Sequence, residues 1–359
     1  MTTDTPTPSP TLNDEATPKL STLDRLLPVW IGSAMVGGIL LGRLIPDLND
    51  TLDKVKVDTV SLPIAIGLLA MMYPVLAKVR YRGISAELGD RRTMGLSLVL
   101  NWVVGPALMF TLAWVFLGDL PELRTGLIIV GLARCIAMVL IWNDLACGNS
   151  ELGAVLVAVN SVFQIVMYTV LGWFYLDLLP GWLGLETQSL DVGMWPIAKS
   201  VLIFLGIPLV AGFLTRTILE ARKGTDWYEH SFLPRIGPIA LYGLLFTIVV
   251  LFSLQGDQIL DRPLDVARVA VPLLIYFTLM WFGSFGAGYR LGLPYDRNTS
   301  VAFTAAGNNF ELGIAVAIAA FGVTSGQALA GTIGPLIEVP VLVGLVYVAL
   351  WAKRRWYGG

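Results

Sequence analysis

The chain has 359 residues, 55% of them hydrophobic and 14% charged, with a formal net charge of −2 and a mean hydropathy of +0.72. That balance excludes a soluble globular domain and describes a polytopic membrane protein, while the near-neutral charge excludes a nucleic-acid partner. Two cysteines without a secretory cleavage pattern exclude a disulfide framework.

Residues 1–24, rich in Thr, Pro and Asp, have no apolar face and predict a disordered cytoplasmic tail. Ten segments then approach the roughly 20 residues that a bilayer requires. They are about 26–45, 59–78, 94–117, 126–147, 152–176, 196–219, 236–255, 266–289, 300–322 and 328–351. With the N-terminus inside, the inner face carries Lys19, Arg25, Lys78, Arg80, Arg82, Arg91, Arg92, Arg216, Arg222, Lys223, Arg235, Arg290, Arg297, Lys353, Arg354 and Arg355, sixteen in all. The outer face keeps seven, Arg43, Lys54, Lys56, Arg124, Lys199, Arg262 and Arg268, and Arg134 lies within a span. The asymmetry predicts a multi-pass plasma-membrane protein with both termini cytoplasmic, Arg80 and Arg222 inside, and Lys54 and Asp191 outside.

An internal repeat organises these spans. A shift of 174 residues lays 131–174 on 305–348 without a gap, and the polar interruptions coincide: Arg134 and Cys135 fall on Asn308 and Asn309, Gly148 on Gly322, Gln164 on Glu338. Arg43 matches Arg216 at a shift of 173, and Pro63 matches Pro238 at 175. Each half, 25–190 and 191–359, then holds five spans, an odd number. The halves must therefore cross the membrane in opposite senses, which is the inverted-repeat plan of secondary transporters, with its site near the midplane where discontinuous helices meet.

Spans four and nine are the candidates for those helices. In span four, GLIIVGLARCIAMVLIWNDLAC (126–147), Arg134 and Cys135 sit near mid-membrane, where an arginine costs about 2.5–3.5 kcal/mol on insertion scales and so marks a pathway. In span nine, Gly307, Asn308 and Asn309 weaken helix propagation and Glu311 follows them. The asparagines could instead bond a neighbouring helix, and Glu311 could be a salt-bridge partner of Arg134. Span ten places Glu338 between Pro335 and Pro340, where it could pair with Arg134 or cap the carbonyls that the prolines free. Gln164 suits a helix-to-helix hydrogen bond. Asn101, Asn143 and Asn160 either line a cavity or bond neighbouring helices. The single histidine, His230, lies in the loop between spans six and seven, so proton coupling must use carboxylates. Asp144 and Asp177 sit near span ends, where interfacial solvation explains them.

Cys135 reads either as a small hydrophobe or, beside Arg134 at a break, as a soft ligand. Cys147, twelve residues on, would lie about 18 Å away along one helix. One accessible thiol suits transient capture.

Three stretches, GLARCIAMVLIWNDLACGN, TAAGNNFELGIAVAIAAFG and GPLIEVPVLV, resemble the signature regions of the arsenical-resistance arsenite efflux permeases, within the bile-acid, arsenite and riboflavin transporter superfamily. The resemblance spans all ten segments but not the tail. It implies an all-α fold of ten transmembrane helices in two inverted five-helix repeats, a panel domain of spans one, two, six and seven, and a core domain of spans three to five and eight to ten. It further implies that Cys135 and Glu311 are the essential pair, and that As(III), in some members also Sb(III), is exported against a proton gradient without ATP or cofactor. Arg134, Asn308, Asn309 and Glu338 complete the expected substrate site, with Cys135 as transient As(III) ligand and Glu311 coupling protons. A sodium-coupled organic-anion symporter would want a hydroxyl-rich cation site instead. No HExxH, GxSxG or nucleotide-binding loop supports an enzyme.

Overall fold

The computed structural model describes residues 26–45, 56–57, 60–79, 90–136, 138–185 and 194–358. The predicted tail, with Lys19 and Arg25, and the predicted topology markers Lys54, Arg80 and Asp191 lie outside the described residues. Among the described residues twelve helices follow one another: α1 (Leu27–Leu44), α2 (Leu62–Lys78), α3 (Arg91–Leu117), α4 (Pro121–Leu132), α5 (Met138–Leu145), α6 (Ser150–Trp182) and α7 (Trp195–Lys223), α8 (Thr225–Asp261) and α9 (Pro263–Arg290), α10 (Tyr295–Ala306), α11 (Phe310–Phe321), and α12 (Gly326–Trp356). A two-residue antiparallel ladder, Lys56–Val57 with Val60–Ser61, precedes α2. Six of the helices, α3, α6, α7, α8, α9 and α12, are long and apolar enough to cross a bilayer, and the chain is an all-helical polytopic membrane protein. Large apolar side chains such as Val115, Val166, Val210 and Val36 are more than half exposed, as lipid-facing residues must be, since lipid exacts no cost for them.

Proline placement shapes the long helices. Four wide π-helical turns, Leu100–Val104, Phe174–Leu178, Leu202–Gly206 and Tyr228–Phe232, each end two residues before a proline: Pro106, Pro180, Pro208 and Pro234. A proline ring collides with the carbonyl four residues earlier and offers no N–H. Widening the preceding turn relieves both problems without ending the helix.

The helices pack in two groups. In the first, α8 lies against α1 and α2, and α2 lies against α7. Backbones approach closely there: a Cβ at Gly243 of α8 would fall 2.8 Å from the Met71 nitrogen of α2, the small-residue contact that helix association in lipid relies on. Buried Arg216 of α7 ties the group together by donating to the Lys78 carbonyl at 2.8 Å and to Glu229 at 2.8 Å. In the second group α9 packs on α3, α10 and α12, while α4 packs on α3, α11 and α12. The first turns of α7 lie against α6 and α11, joining the groups.

Several helices outrun the segments predicted from hydropathy. The segment at 236–255 belongs to a helix over Thr225–Asp261, because helical hydrogen bonding persists where the chain leaves the apolar layer. Spans four and nine are not continuous. Each is two short helices separated by an extended stretch, α4 from α5 and α10 from α11.

Candidate functional site

The first break begins where α4 stops at Leu132 and Ala133 turns extended, at φ −83° and ψ 120°. The second begins where α10 stops at Ala306 and Gly307 turns extended, at φ −72° and ψ 146°. The two extended stretches run antiparallel, with Arg134 opposite Asn308. The Cys135 N–H donates to the Gly307 carbonyl at 3.3 Å, and the Asn309 N–H donates to the Ala133 carbonyl at 3.0 Å. The 174-residue shift converts the first of these bonds into the second. A further pair obeys the same rule. The Arg134 N–H donates to Gln164 Oε1, and the Asn308 N–H donates to Glu338 Oε1 at 3.3 Å. Backbone groups freed inside a membrane need partners within the protein, and here four amides find them through one two-fold pattern.

Helix ends complete the crossing. Asn309 Oδ1 caps α11 by accepting the Leu312 N–H at 3.0 Å. At the end of α4, where carbonyls lose their intrahelical partners, Tyr168 donates its hydroxyl to the Ile129 carbonyl at 2.9 Å. The Arg134 guanidinium donates to the Gly131 carbonyl. A cation suits this position because the helix C-terminus carries partial negative charge.

Arg134 is fully buried, and its partners differ from the two carboxylates considered from sequence. Nη1 donates to the Tyr276 hydroxyl at 2.9 Å, and that hydroxyl donates to Asn308 Oδ1 at 3.3 Å. Among the described residues neither Glu311 nor Glu338 forms an ion pair with Arg134. Glu338, 2% exposed, is committed to the Asn308 amide. Glu311 is half-buried in the first turn of α11.

Cys135 is 3% exposed and sits against Gly307. A Cβ at Gly307 would lie 2.9 Å from Cys135 Cβ and 3.5 Å from both Cys135 Sγ and Glu338 Oε1. The thiol and the Glu338 carboxylate therefore converge on one point, which glycine leaves open. Gly105 of α3 does the same for the arginine, since a Cβ there would fall 2.6 Å from Arg134 Nη1 and 3.1 Å from the Tyr276 hydroxyl. Around the crossing four buried nitrogens, Arg134 Nε, Gln164 Nε2, Asn308 Nδ2 and Asn309 Nδ2, have no protein acceptor among the described residues. The oxygens of these amides already accept hydrogen bonds, which fixes their orientation. All four unpartnered groups are donors.

The remaining candidates lie elsewhere. Asn101 and Asn160 form their own buried chain, in which Trp102 Nε1 donates to Asn160 Oδ1 at 3.1 Å and Asn160 Nδ2 to Asn101 Oδ1 at 3.4 Å. Asn143 Oδ1 accepts the Ser300 hydroxyl at 2.8 Å, tying α5 to α10. Asp144 accepts the Ser150 hydroxyl at 2.6 Å, and Asp177 is exposed. Cys147, half-buried, lies in the turn after α5 with φ 54°. His230 is exposed and 3.0 Å from Asp226. Among the described residues no group of three His, Cys, Asp or Glu side chains could hold a resident metal ion. Sequence reasoning missed Tyr276 and Tyr168. The signal for Tyr276 was present, because the 174-residue shift pairs it with Trp102, another aromatic with a polar tip.

Residues 65–262 match the Sodium Bile acid symporter family. The chain is 61% identical over 333 residues to the Arsenical-resistance protein Acr3 of Corynebacterium glutamicum, covering 93% of this chain and 90% of that protein. It is 32% identical over 344 residues to the Acr3 of Alkaliphilus metalliredigens, covering 93% and 94%, and 37% identical over 358 residues to an uncharacterized transporter of Synechocystis, covering 93% and 91%. The relatives are transporters rather than enzymes, and the chain belongs to the Sodium Bile acid symporter family, within its Acr3 arsenical-resistance proteins.

Proposed function

We propose that this chain exports arsenite, with antimonite as a second substrate, from the cytoplasm in exchange for protons, Cys135 serving as transient ligand and Glu311 as proton carrier. The observation that carries this reading is the convergence of a buried thiol, the Glu338 carboxylate and unpartnered N–H donors at one helix crossing. The 61% identity to the Corynebacterium Acr3 supports the substrate.

Arsenite at neutral pH is largely an uncharged trihydroxide, so charge gives it little purchase and a thiol gives it a specific one. Exchange of one hydroxyl for the Cys135 sulfur forms an As–S bond, breaks an As–O bond and releases water from the thiol proton and the departing hydroxide. Hydrolysis reverses the step on the other side. The remaining hydroxyl oxygens suit the donors of Arg134, Gln164, Asn308 and Asn309. A neutral cargo takes nothing from the membrane potential, whereas an inward proton contributes about 2.3 kcal/mol per 100 mV, enough to make exchange run uphill for arsenite.

The frame for this exchange is ten spans in two inverted five-helix repeats, with α4–α5 and α10–α11 as the discontinuous spans, α1, α2, α7 and α8 as the panel and the other helices as the core. Both termini face the cytoplasm of a plasma-membrane protein, as the charge asymmetry suggests. A sodium-coupled alternative sits poorly with a guanidinium and three unpartnered amide donors at the crossing, because a cation needs acceptors there.

The test uses everted vesicles. Glu311→Gln is expected to fold and bind arsenite but to lose proton-driven accumulation. Native accumulation with matching proton movement would remove Glu311 from the role, and accumulation that required sodium would overturn proton exchange itself.

A further inference from the structure

The panel and core groups are joined by side-chain hydrogen bonds at one end of the molecule. Gln255 Nε2 of α8 donates to the Val323 carbonyl at 2.7 Å, and Gln258 Nε2 donates to the Thr324 carbonyl at 3.2 Å. Gln255 is fully buried. Both acceptors lie in the turn between α11 and α12, at the face opposite the C-terminus.

That turn is bound firmly to the core. Gly322 adopts φ 93°, a backbone conformation that favours glycine. Ser325 Oγ accepts the Ala328 N–H at 3.1 Å to cap α12, and Glu122, in the first turn of α4, accepts the Gly326 N–H at 3.2 Å. The turn is also the far end of α11, whose near end carries Asn309 and Glu311. Any separation of the panel from the core at this face therefore breaks the glutamine bonds while the turn stays with the core. Both donors are neutral amides, so no protonation event governs them.

We infer that Gln255 and Gln258 form a latch that holds the face opposite the C-terminus shut between panel and core, and that cargo leaves only after these two bonds break. The inference rests on the transport reading above. It extends that reading by naming residues remote from the crossing that set the balance between access states.

The probe is a membrane-impermeant maleimide added outside intact cells, with the labelling rate of Cys135 as the readout in full-length protein carrying Cys147→Ser. Gln255→Ala is expected to speed labelling by roughly three- to tenfold, the range by which one net hydrogen bond shifts an equilibrium. An unchanged rate overturns the latch. Because Gln255 is buried, a second variant protects the test from a folding defect: Gln258→Cys with Thr324→Cys, at a surface pair, joined by oxidation. The disulfide is expected to block both labelling and arsenite export until reduced, and oxidised protein that exports at the native rate overturns the latch. Labelling does not depend on the cargo. Faster labelling of Gln255→Ala in a protein whose parent exports no arsenite would sustain the latch while refuting the proposed substrate.

Discussion

The two helix breaks share their main-chain bonds and almost nothing of their side chains. Ala133 and Cys135 do for Gly307 and Asn309 what Gly307 and Asn309 do for them. At the three positions that matter, however, the first break has Arg134, Cys135 and Gln164, whereas the second has Asn308, Asn309 and Glu338. The backbone pattern is therefore common to both breaks, whereas the side chains they carry are not. Gln164 already demonstrates that an amide oxygen can hold such a break. A carboxylate at Glu338 is more than the hydrogen bond requires.

The largest test of that contrast is Cys135→Ser, which is expected to abolish arsenite export at equal expression, while Cys147→Ser exports normally. Full export by the Cys135 variant would show that the side-chain difference between the breaks is not where the chemistry lies. Next is the residue that bridges the breaks. Tyr276→Phe removes a hydroxyl that accepts from a buried cation and donates to Asn308, and should cost roughly 1.5–3 kcal/mol, the range for hydrogen bonds to charged groups. A melting temperature in detergent equal to that of the parent would mean the bridge is dispensable.

At Glu338 two substitutions separate holding from chemistry. Glu338→Leu leaves the buried Asn308 amide without an acceptor and should lose roughly 1–3 kcal/mol. Glu338→Gln copies Gln164 and should melt with the parent. If both melt alike, the two-fold equivalence of residues 164 and 338 is not structural. The smallest effect serves as a baseline away from the breaks. Asp90 caps α3 by accepting from the Thr93 backbone at 3.2 Å and hydroxyl at 2.6 Å, and it pairs with Arg297 at 3.0 Å. Asp90→Ala should cost about 1 kcal/mol without changing arsenite affinity in a binding assay. The Thr93 hydroxyl bond, with Arg297 assisting, holds the Asp90 carboxyl below the usual carboxylate range. Its contribution is therefore present above that range and fades as pH falls through the lowered value.

Much of the fold and part of the site were legible in the sequence. Hydropathy located the helices because burial in lipid is a bulk property that composition records. The breaks were legible at Arg134 and Asn308 because a charge and paired amides are too costly to leave inside an unbroken apolar helix. The partners of Arg134 were not legible. Two glutamates looked like natural counterions, yet the guanidinium reaches the Gly131 carbonyl and the Tyr276 hydroxyl. Which groups meet depends on where two broken helices cross, and no spacing along one chain encodes that distance. Tyr276 also passes for an ordinary core aromatic until its hydroxyl is seen between the breaks. Gly105 was hidden for the same reason, and Gly307, legible as a helix breaker, did not show the space that it leaves to residues far away in sequence.

The reciprocal bonds between Ala133, Cys135, Gly307 and Asn309 also impose an order on biosynthesis. Gln164 satisfies the Arg134 amide from within the first half, but the Cys135 amide waits for the Gly307 carbonyl, which is made much later. With 172 residues separating Cys135 from Gly307, synthesis at about 5–20 residues per second leaves that interval at roughly ten to thirty-five seconds. Through it the first half holds Cys135 without the Gly307 carbonyl and Arg134 without the Tyr276 hydroxyl. The crossing can close only after the second half has arrived.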